Sequence, residues 1–464
     1  MADLFDQIQQ DHDAAVDRLC DFLKIPSVST DPHYADDVQI CADYLRDILA
    51  NDIGLDVQVC ETPGHPVVLA KVPPHMIAQP DAPKILFYGH YDVQPPDPLD
   101  KWDTPAFEPN IRDNKVFARG AVDDKGQVAC MIEALRNLKK AHPEGKLPAP
   151  MTLLIEGEEE IGSAHLPKFI KDNKDQLAAD ICIVCDTSMW NADTPAITYA
   201  LRGLLYFDIQ LHGPSRDLHS GVYGGTLANP CNILTRVLGN LFDDKNRINI
   251  PGFYDDVDEI TAAEHSAWDG LHFNEDEFLG EVNAKPFGEH RYTTLERRWA
   301  RPSCDINGIY GGYMGKGAKT VIPTFAGAKV SFRIPASMDP VKTAKQFTDW
   351  LKNQNVADLE WKLESHGVAY PTAMAMDSQY MSAAQAAIQS VTGKKPAMVR
   401  EGATVPVVAD FHQILGLDSL MIGFGLETDA IHSPNEHFGL DRFLLGTKTL
   451  AQTLLNLSEL QKPQ

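Results

Sequence analysis

The stretch Lys84 to Val93, KILFYGHYDV, constrains the fold of this chain more than any other. Ile85 to Tyr88 is a short continuous apolar run, as expected of a strand covered on both faces. Gly89 ends the run and lets the backbone approach something closely. His90 and Asp92 then emerge together. In open α/β sheets ligands collect outside the carboxyl ends of the strands, where this pair is expected to stand. An imidazole with a carboxylate two residues on suits a metal ligand whose second ring nitrogen is oriented by an acid. A single pair of this kind is more often structural, so the weight falls on whether other strands end the same way.

Four further segments do. VFARGAVDDKGQ puts Asp123 and Asp124 ahead of a helix whose apolar face is Val128, Met131, Ile132, Leu135 and Leu138. One of the two acids can cap that helix, or can place a carboxylate over the strand ends. Met151 to Ile155 is a β-type run leading into Glu156, Glu158, Glu159 and Glu160. Acid clusters are usually solvated faces, but three consecutive carboxylates after a buried strand repel one another unless a cation is nearby. DICIVCD ends in Asp186, and SLMIGFG is followed by ETDAIHSPNEHF with His432, Glu436 and His437. Each run alone has a better structural explanation; five in strand-helix alternation point to a metal site. Mixed imidazole and carboxylate donors suit zinc, with manganese or cobalt as alternatives, better than an all-oxygen calcium site. The number of candidates suggests two ions.

At 464 residues the chain exceeds what one hydrophobic core organises, so at least two domains are expected. The first half opens with helices over about Leu4 to Phe22 and Val38 to Leu49, then β-type runs at Val57 to Cys60 and Val67 to Val72. The Pro-rich segment QPPDPLDKWDTPAFEP reads as an ordered surface loop near the site. From about Arg202 the pattern changes: β-like LYFDIQLHG, the motif DLHSGVYGG, a helical LANPCNILTRVLGNLF, an acidic stretch from about Asp243 to Arg301, and β-like runs at Thr320 to Ile322 and Ala328 to Ile334. After HGVAYPTAM the earlier alternation resumes. The expected organisation is therefore one α/β domain, residues 1-200 and 375-464, split by an inserted domain, residues 201-374. The 41 basic and 65 acidic residues give a formal charge of -24, which repels nucleic acid and anionic membranes. Neither a signal peptide nor a transit peptide is expected from the acidic first residues, and no apolar run approaches membrane-spanning length. Eight scattered cysteines, Cys182 and Cys185 on a strand-like run among them, read as ordinary thiols of a reducing, cytoplasmic compartment. No phosphate-cradling glycine loop follows a strand, so a nucleotide-binding role lacks support.

The ordered set GHYDVQP, ARGAVDDKGQ, EGEEEIGS, ICIVCD, DLHSGVYGG, KTVIPTFAGAKVSFRIP and IHSPNEHF resembles the M20 metallopeptidases, in particular their dipeptidase branch. The resemblance covers nearly the whole chain. It implies a zinc-aminopeptidase-like α/β catalytic domain, an inserted α+β lid, and a homodimer formed through the lids. By the same resemblance His90 and Asp186 hold one metal, Glu160 and His432 the other, and Asp123 bridges both. Asp92 then orients His90, and Glu159 is the general base for a water between the metals that attacks the amide of a dipeptide or small peptide. The family pattern Glu-Glu-x-Gly-Ser selects Glu159 and Glu160 where chemistry alone leaves Glu158 open, and His-Ser-x-Asn-Glu selects His432 over His437. A cis peptide is implied between Asp123 and Asp124. In the lid, His219 is implied to reach the partner subunit's site and stabilise the oxyanion, Arg333 to bind the substrate's terminal carboxylate, and Thr320 and His366 to touch substrate. REGATVP departs from the Arg-Glu-Gly-Gly-Ser of relatives at Ala403 and Thr404, a difference that bears on the substrate pocket. Other readings on this scaffold are an aminoacylase, a carboxypeptidase, a desuccinylase, or a noncatalytic metal-dependent binding protein.

Overall fold

The unbroken apolar runs form the middle of a mixed sheet in the computed structural model, which describes residues 2–403 and 405–461. The chain divides into two compact units, Met1–Tyr199 with Met374–Val399 and Asp410–Gln464, and Ala200–Ala373 with Arg400–Ala409. In the first, the strands lie in the order Asp56–Cys60, Val67–Lys71, Met151–Glu156, Ile85–His90, Ile181–Val184, Ser419–Met421, Ala196–Leu201. The central four run parallel to one another. Their residues are buried almost throughout, because helices cover both faces of a parallel sheet. The outer pairings are antiparallel. All four central strands therefore end at one edge.

The helices Ala2–Leu23, Lys125–Ala141, Gln379–Thr392 and Leu440–Ser458 pack against one another beside this sheet. The apolar face read after VFARGAVDDKGQ holds, but the Lys125–Ala141 helix is buried nearly all round, Lys125, Glu133 and Asn137 included. Its polar positions survive burial because each has a partner. Arg18 donates to both Glu133 oxygens at 2.8 and 2.6 Å, Gln7 reaches Asn137 at 3.0 Å, and Lys125 Nζ donates to the Ile25 carbonyl at 2.6 Å. The cysteines form no disulfide, and no helix among the described residues is long and apolar enough to cross a membrane.

The second unit contains a four-stranded antiparallel sheet, Ser303–Gly311, Phe325–Ile334, Gly203–His212 and Glu360–Ala369. Strict alternation of buried and half-exposed residues along Gly203–His212 shows a sheet covered on one face. Leu205, Phe207 and Ile209 pack there with Phe253, Phe332, Phe347 and Trp350. The acidic stretch 243–301 is folded. Thr261 with Glu264 and Thr293 with Glu296 form capping boxes, and buried Glu289 takes both prongs of Arg301 at 2.8 Å. Three of its acids are thus structural. Phe347→Ala removes a ring in contact with Phe207, Phe332 and Trp350; it is expected to cost about 3–5 kcal/mol in the unfolding of this unit, read by urea denaturation, and a cost below about 1 kcal/mol would exclude this packing.

Candidate metal centre

The ends of the parallel strands bring acids and imidazoles together. His90 closes its strand opposite Glu156, and Asp186 follows the neighbouring strand Ile181–Val184. Asp123 comes from the irregular segment before the Lys125–Ala141 helix, Glu160 from the short turn Glu159–Ile161, and His432 from a loop after Ser419–Met421. Donor atoms of His90, Asp123 and Asp186 lie within 4.8 Å of one another, and so do those of Asp123, Glu160 and His432. The two sets share Asp123. Its carboxylate is 3.1 Å from His90 Nε2 through one oxygen and 2.8 Å from His432 Nε2 through the other. Glu160 Oε2 is 3.3 Å from His432 Nε2.

Neighbouring groups hold these donors in place. His90 Nδ1 is 3.0 Å from the main-chain carbonyl of Asp92, which leaves Nε2 facing the acids. The Asp92 carboxylate is 3.5 Å from the same ring nitrogen and instead accepts the main-chain N–H groups of Glu159 and Glu160 at 3.2 and 3.0 Å. It therefore ties the His90 strand to the turn that carries both glutamates. Gln94 donates to Glu160 Oε2 at 2.8 Å. Of the two aspartates before the helix, Asp124 occupies the capping position without a capping bond; its Oδ2 accepts the His90 N–H at 3.2 Å. A Cβ on Gly89 would come within 2.9 Å of that oxygen, the close approach for which a glycine stands there. The Asp123–Asp124 peptide is cis. Glu158 turns away, accepting from the His65 N–H at 3.0 Å and pairing with His165 Nδ1 at 2.9 Å.

Sequence reasoning assigned no role to Glu436 or Arg119. The buried Glu436 carboxylate accepts the N–H groups of Gly120, Val122 and Asp123 at 2.9, 3.0 and 3.2 Å and an Arg119 guanidinium N–H at 2.8 Å. No spacing rule points to it, since its partners lie some three hundred positions upstream.

So many acids in one buried place oppose each other's ionisation. Burial, with repulsion from Asp123 and Asp124, raises Asp186 well above the carboxylate range, and burial likewise raises Asp124. Burial above all pushes Glu159 up to about 7. Hydrogen bonds to the Asp123 and Glu160 carboxylates lift His432 to about 10, a measure of how strongly these acids favour positive charge beside them. Glu160 Oε1 is buried without a hydrogen-bond partner, and so is Asp124 Oδ1. Two imidazoles, three carboxylates and an orphaned carboxylate oxygen suit two divalent cations.

The remaining predicted residues belong to the second unit. His219 is exposed, and its Nδ1 accepts the Gly221 N–H at 2.9 Å. Thr320 lies beside it, its carbonyl accepting from Ser220 N at 3.1 Å. Arg333 is half-buried opposite Ser303 in its sheet, and the exposed His366 ring packs edge-on to Tyr206 where the Glu360–Ala369 strand is irregular. Ala403 is exposed, and Thr404 lies outside the described residues.

A parallel sheet whose strand ends carry paired donor sets sharing one aspartate is the scaffold of a metal-dependent peptidase. The family described as Peptidase family M20/M25/M40 matches residues 86–456, and the chain belongs to that family. It is 34% identical over 468 residues to the Cys-Gly metallodipeptidase dug1 of Schizosaccharomyces pombe, covering 96% of each chain. The structure of human carnosine dipeptidase 1 matches with a TM-score of 0.76 and 30% identity, covering 99% of each chain. An M20 family metallo-carboxypeptidase, Sso-CP2 of Sulfolobus solfataricus, matches with a TM-score of 0.82 and 30% identity over 96% of this chain and 99% of its own. Metal saturation should stabilise the fold: each ion held at a hundred times its Kd adds about 2.7 kcal/mol. Zinc or manganese added to metal-stripped protein is expected to raise the thermal midpoint reversibly with EDTA, and an unchanged midpoint would exclude an ion site here.

Proposed function

We propose that this chain is a dinuclear, metal-dependent dipeptidase. The observation supporting it is the pair of donor sets that share Asp123. His90 and Asp186 complete one set, Glu160 and His432 the other. Bound there, two divalent cations, zinc first and manganese or cobalt as alternatives, supply Lewis acidity to the amide carbonyl and acidity to the attacking water. Glu159 takes the proton of that water and returns it to the leaving amine. Asp92, bonded to the main chain of Glu159 and Glu160, keeps base and ligand in one frame with His90. His219 donates to the developing oxyanion, Arg333 pairs with the terminal carboxylate of the peptide, and Thr320 and His366 line the substrate. Free thiols and a charge of -24 support a cytoplasmic protein that engages neither nucleic acid nor membrane.

The proposed assembly is a homodimer through the second unit, each subunit lending His219 to the other. Two features of that unit support it. Its sheet has an open outer strand, Glu360–Ala369, exposed along most of its length, and Val222 and Met314 stand 67% and 76% exposed.

The carboxypeptidase reading draws support from the likeness to Sso-CP2. Free dipeptides, C-terminally amidated dipeptides and N-acetyl amino acids separate the possibilities when offered to metal-stripped protein refilled with zinc, manganese or cobalt. Cleavage of free dipeptides alone is expected; cleavage of N-blocked substrates would move the chain to the carboxypeptidase or acylase reading, and no cleavage with metal bound would make it a binding protein. Glu159→Gln is expected to keep both ions and lose about 10²–10⁴-fold in kcat, and retained turnover would exclude it as the base. Mixing inactive His219→Ala and Glu159→Gln chains one to one is expected to restore about a quarter of the wild-type sites, since half the dimers are hybrid and each has one complete site. No recovery after subunit exchange would exclude a shared site.

A further inference from the structure

Glu436 takes no part in the hydrolysis set out above, yet it is fully buried at the edge of the metal centre. Its carboxylate gathers four N–H groups from one short segment, Arg119 to Asp123. That segment has no strand or helix ladder of its own, so these bonds supply much of what fixes its main chain. The return contact runs from the Ala118 N–H to the Glu436 carbonyl at 3.1 Å. Next to it, Asn435 accepts from Asp103 N at 2.9 Å and donates to the Lys101 carbonyl at 3.2 Å.

The two donor sets differ in how they are anchored. His90 and Asp186 stand at the ends of adjacent parallel strands, where the sheet itself sets their spacing. His432 sits in a loop with left-handed backbone at Ala430, His432 and Asn435, and its side chain is 53% exposed. Upstream that loop is held by Asp429, paired with Arg442 at 2.6 Å; downstream it is held by Glu436. Glu436 is thus the residue whose bonds connect the main chain of Asp123 to the loop of His432.

We propose that Glu436 is the positioning residue of the second cation site, fixing Asp123 and His432 against each other so that both reach one ion. The inference rests on the dinuclear reading above. A carboxylate is required because only an acceptor with two oxygens and a full charge satisfies three main-chain donors and a guanidinium together. A glutamine would turn an NH2 group against them.

The test titrates the metal-stripped full chain with zinc against a chromophoric chelator, with stoichiometry by native mass spectrometry. Wild type is expected to take two ions. Glu436→Gln, folded by circular dichroism, is expected to keep the first within about threefold and to bind the second about 10- to 100-fold more weakly. Its turnover is expected to recover as zinc is raised while its circular dichroism stays unchanged from the metal-free state onward, which separates a weakened site from a folding defect that zinc would also rescue. Arg119→Met removes one of the four donors and should weaken the same ion by less; it decides the matter if Glu436→Gln does not fold. Wild-type affinity for the second ion in the folded variants, or an equal loss at both sites, would overturn the proposal. Fewer than two ions on wild type would instead overturn the dinuclear reading beneath it.

Discussion

Asp123 lies between two imidazoles, with His90 Nε2 at 3.1 Å from one oxygen and His432 Nε2 at 2.8 Å from the other, and the surroundings of the site serve to keep it there. Its main chain is held by Glu436 and its neighbour Asp124 is bonded to the His90 N–H. Gathering Asp123, Asp124, Asp186, Glu159 and Glu160 in one place is costly, because burial penalises each charge and every carboxylate penalises the next. Positive charge must therefore enter the site. Protons on the histidines are one source of it; divalent cations on the two donor sets would take the place of those protons, with a geometry that protons lack.

The remainder of the unit treats buried charge differently. Arg442 and Asp429 form a two-pronged buried pair, Arg18 holds Glu133 the same way, and Arg119 meets Glu436 at 2.8 Å. Breaking one member of such a pair costs about 3–5 kcal/mol, so each is closed on itself. At the strand ends the pattern is left open: Glu160 Oε1, Asp124 Oδ1 and Glu156 Oε2 are all buried without a hydrogen-bond partner. Among the described residues these are the buried carboxylate oxygens left without a partner, and they mark the place where a cation is wanted.

The strands of the centre were legible because a parallel strand covered on both faces is an unbroken apolar run, and the polar residue that follows it must lie at the sheet edge. His90 and Asp186 could be read that way. Asp123 could not be told from a helix cap, because the distinction lies in whether a side chain bonds the first turn, which Asp124 in the capping position does not do. Glu436 was legible only as one of three polar residues after an apolar run, and its task was not. Its function is to collect main-chain N–H groups, and main-chain donors have no sequence signature. The stretch 243–301 looked merely acidic because a buried cap such as Glu264 or Glu296 is spelled with the same letter as a solvated one.

The three consecutive glutamates show how adjacency in sequence resolves into distinct roles. Glu159–Ile161 is a 3-10 turn, with about three residues per turn, so successive side chains point about 120° apart. Glu158, just ahead of it, is claimed by the loop before the Val67–Lys71 strand, through the His65 N–H, and by His165. That strand runs antiparallel to Met151–Glu156, so it brings its N-terminal loop, rather than its C-terminal one, to the edge where the parallel strands end. The reversal of one flanking strand thus places a donor beside the first glutamate and draws it out of the cluster. Glu159 and Glu160, both bonded to Asp92 through their main chains, remain at the site with their side chains diverging. An all-parallel flank would have brought no such donor, and three carboxylates would have competed for the same positive charge.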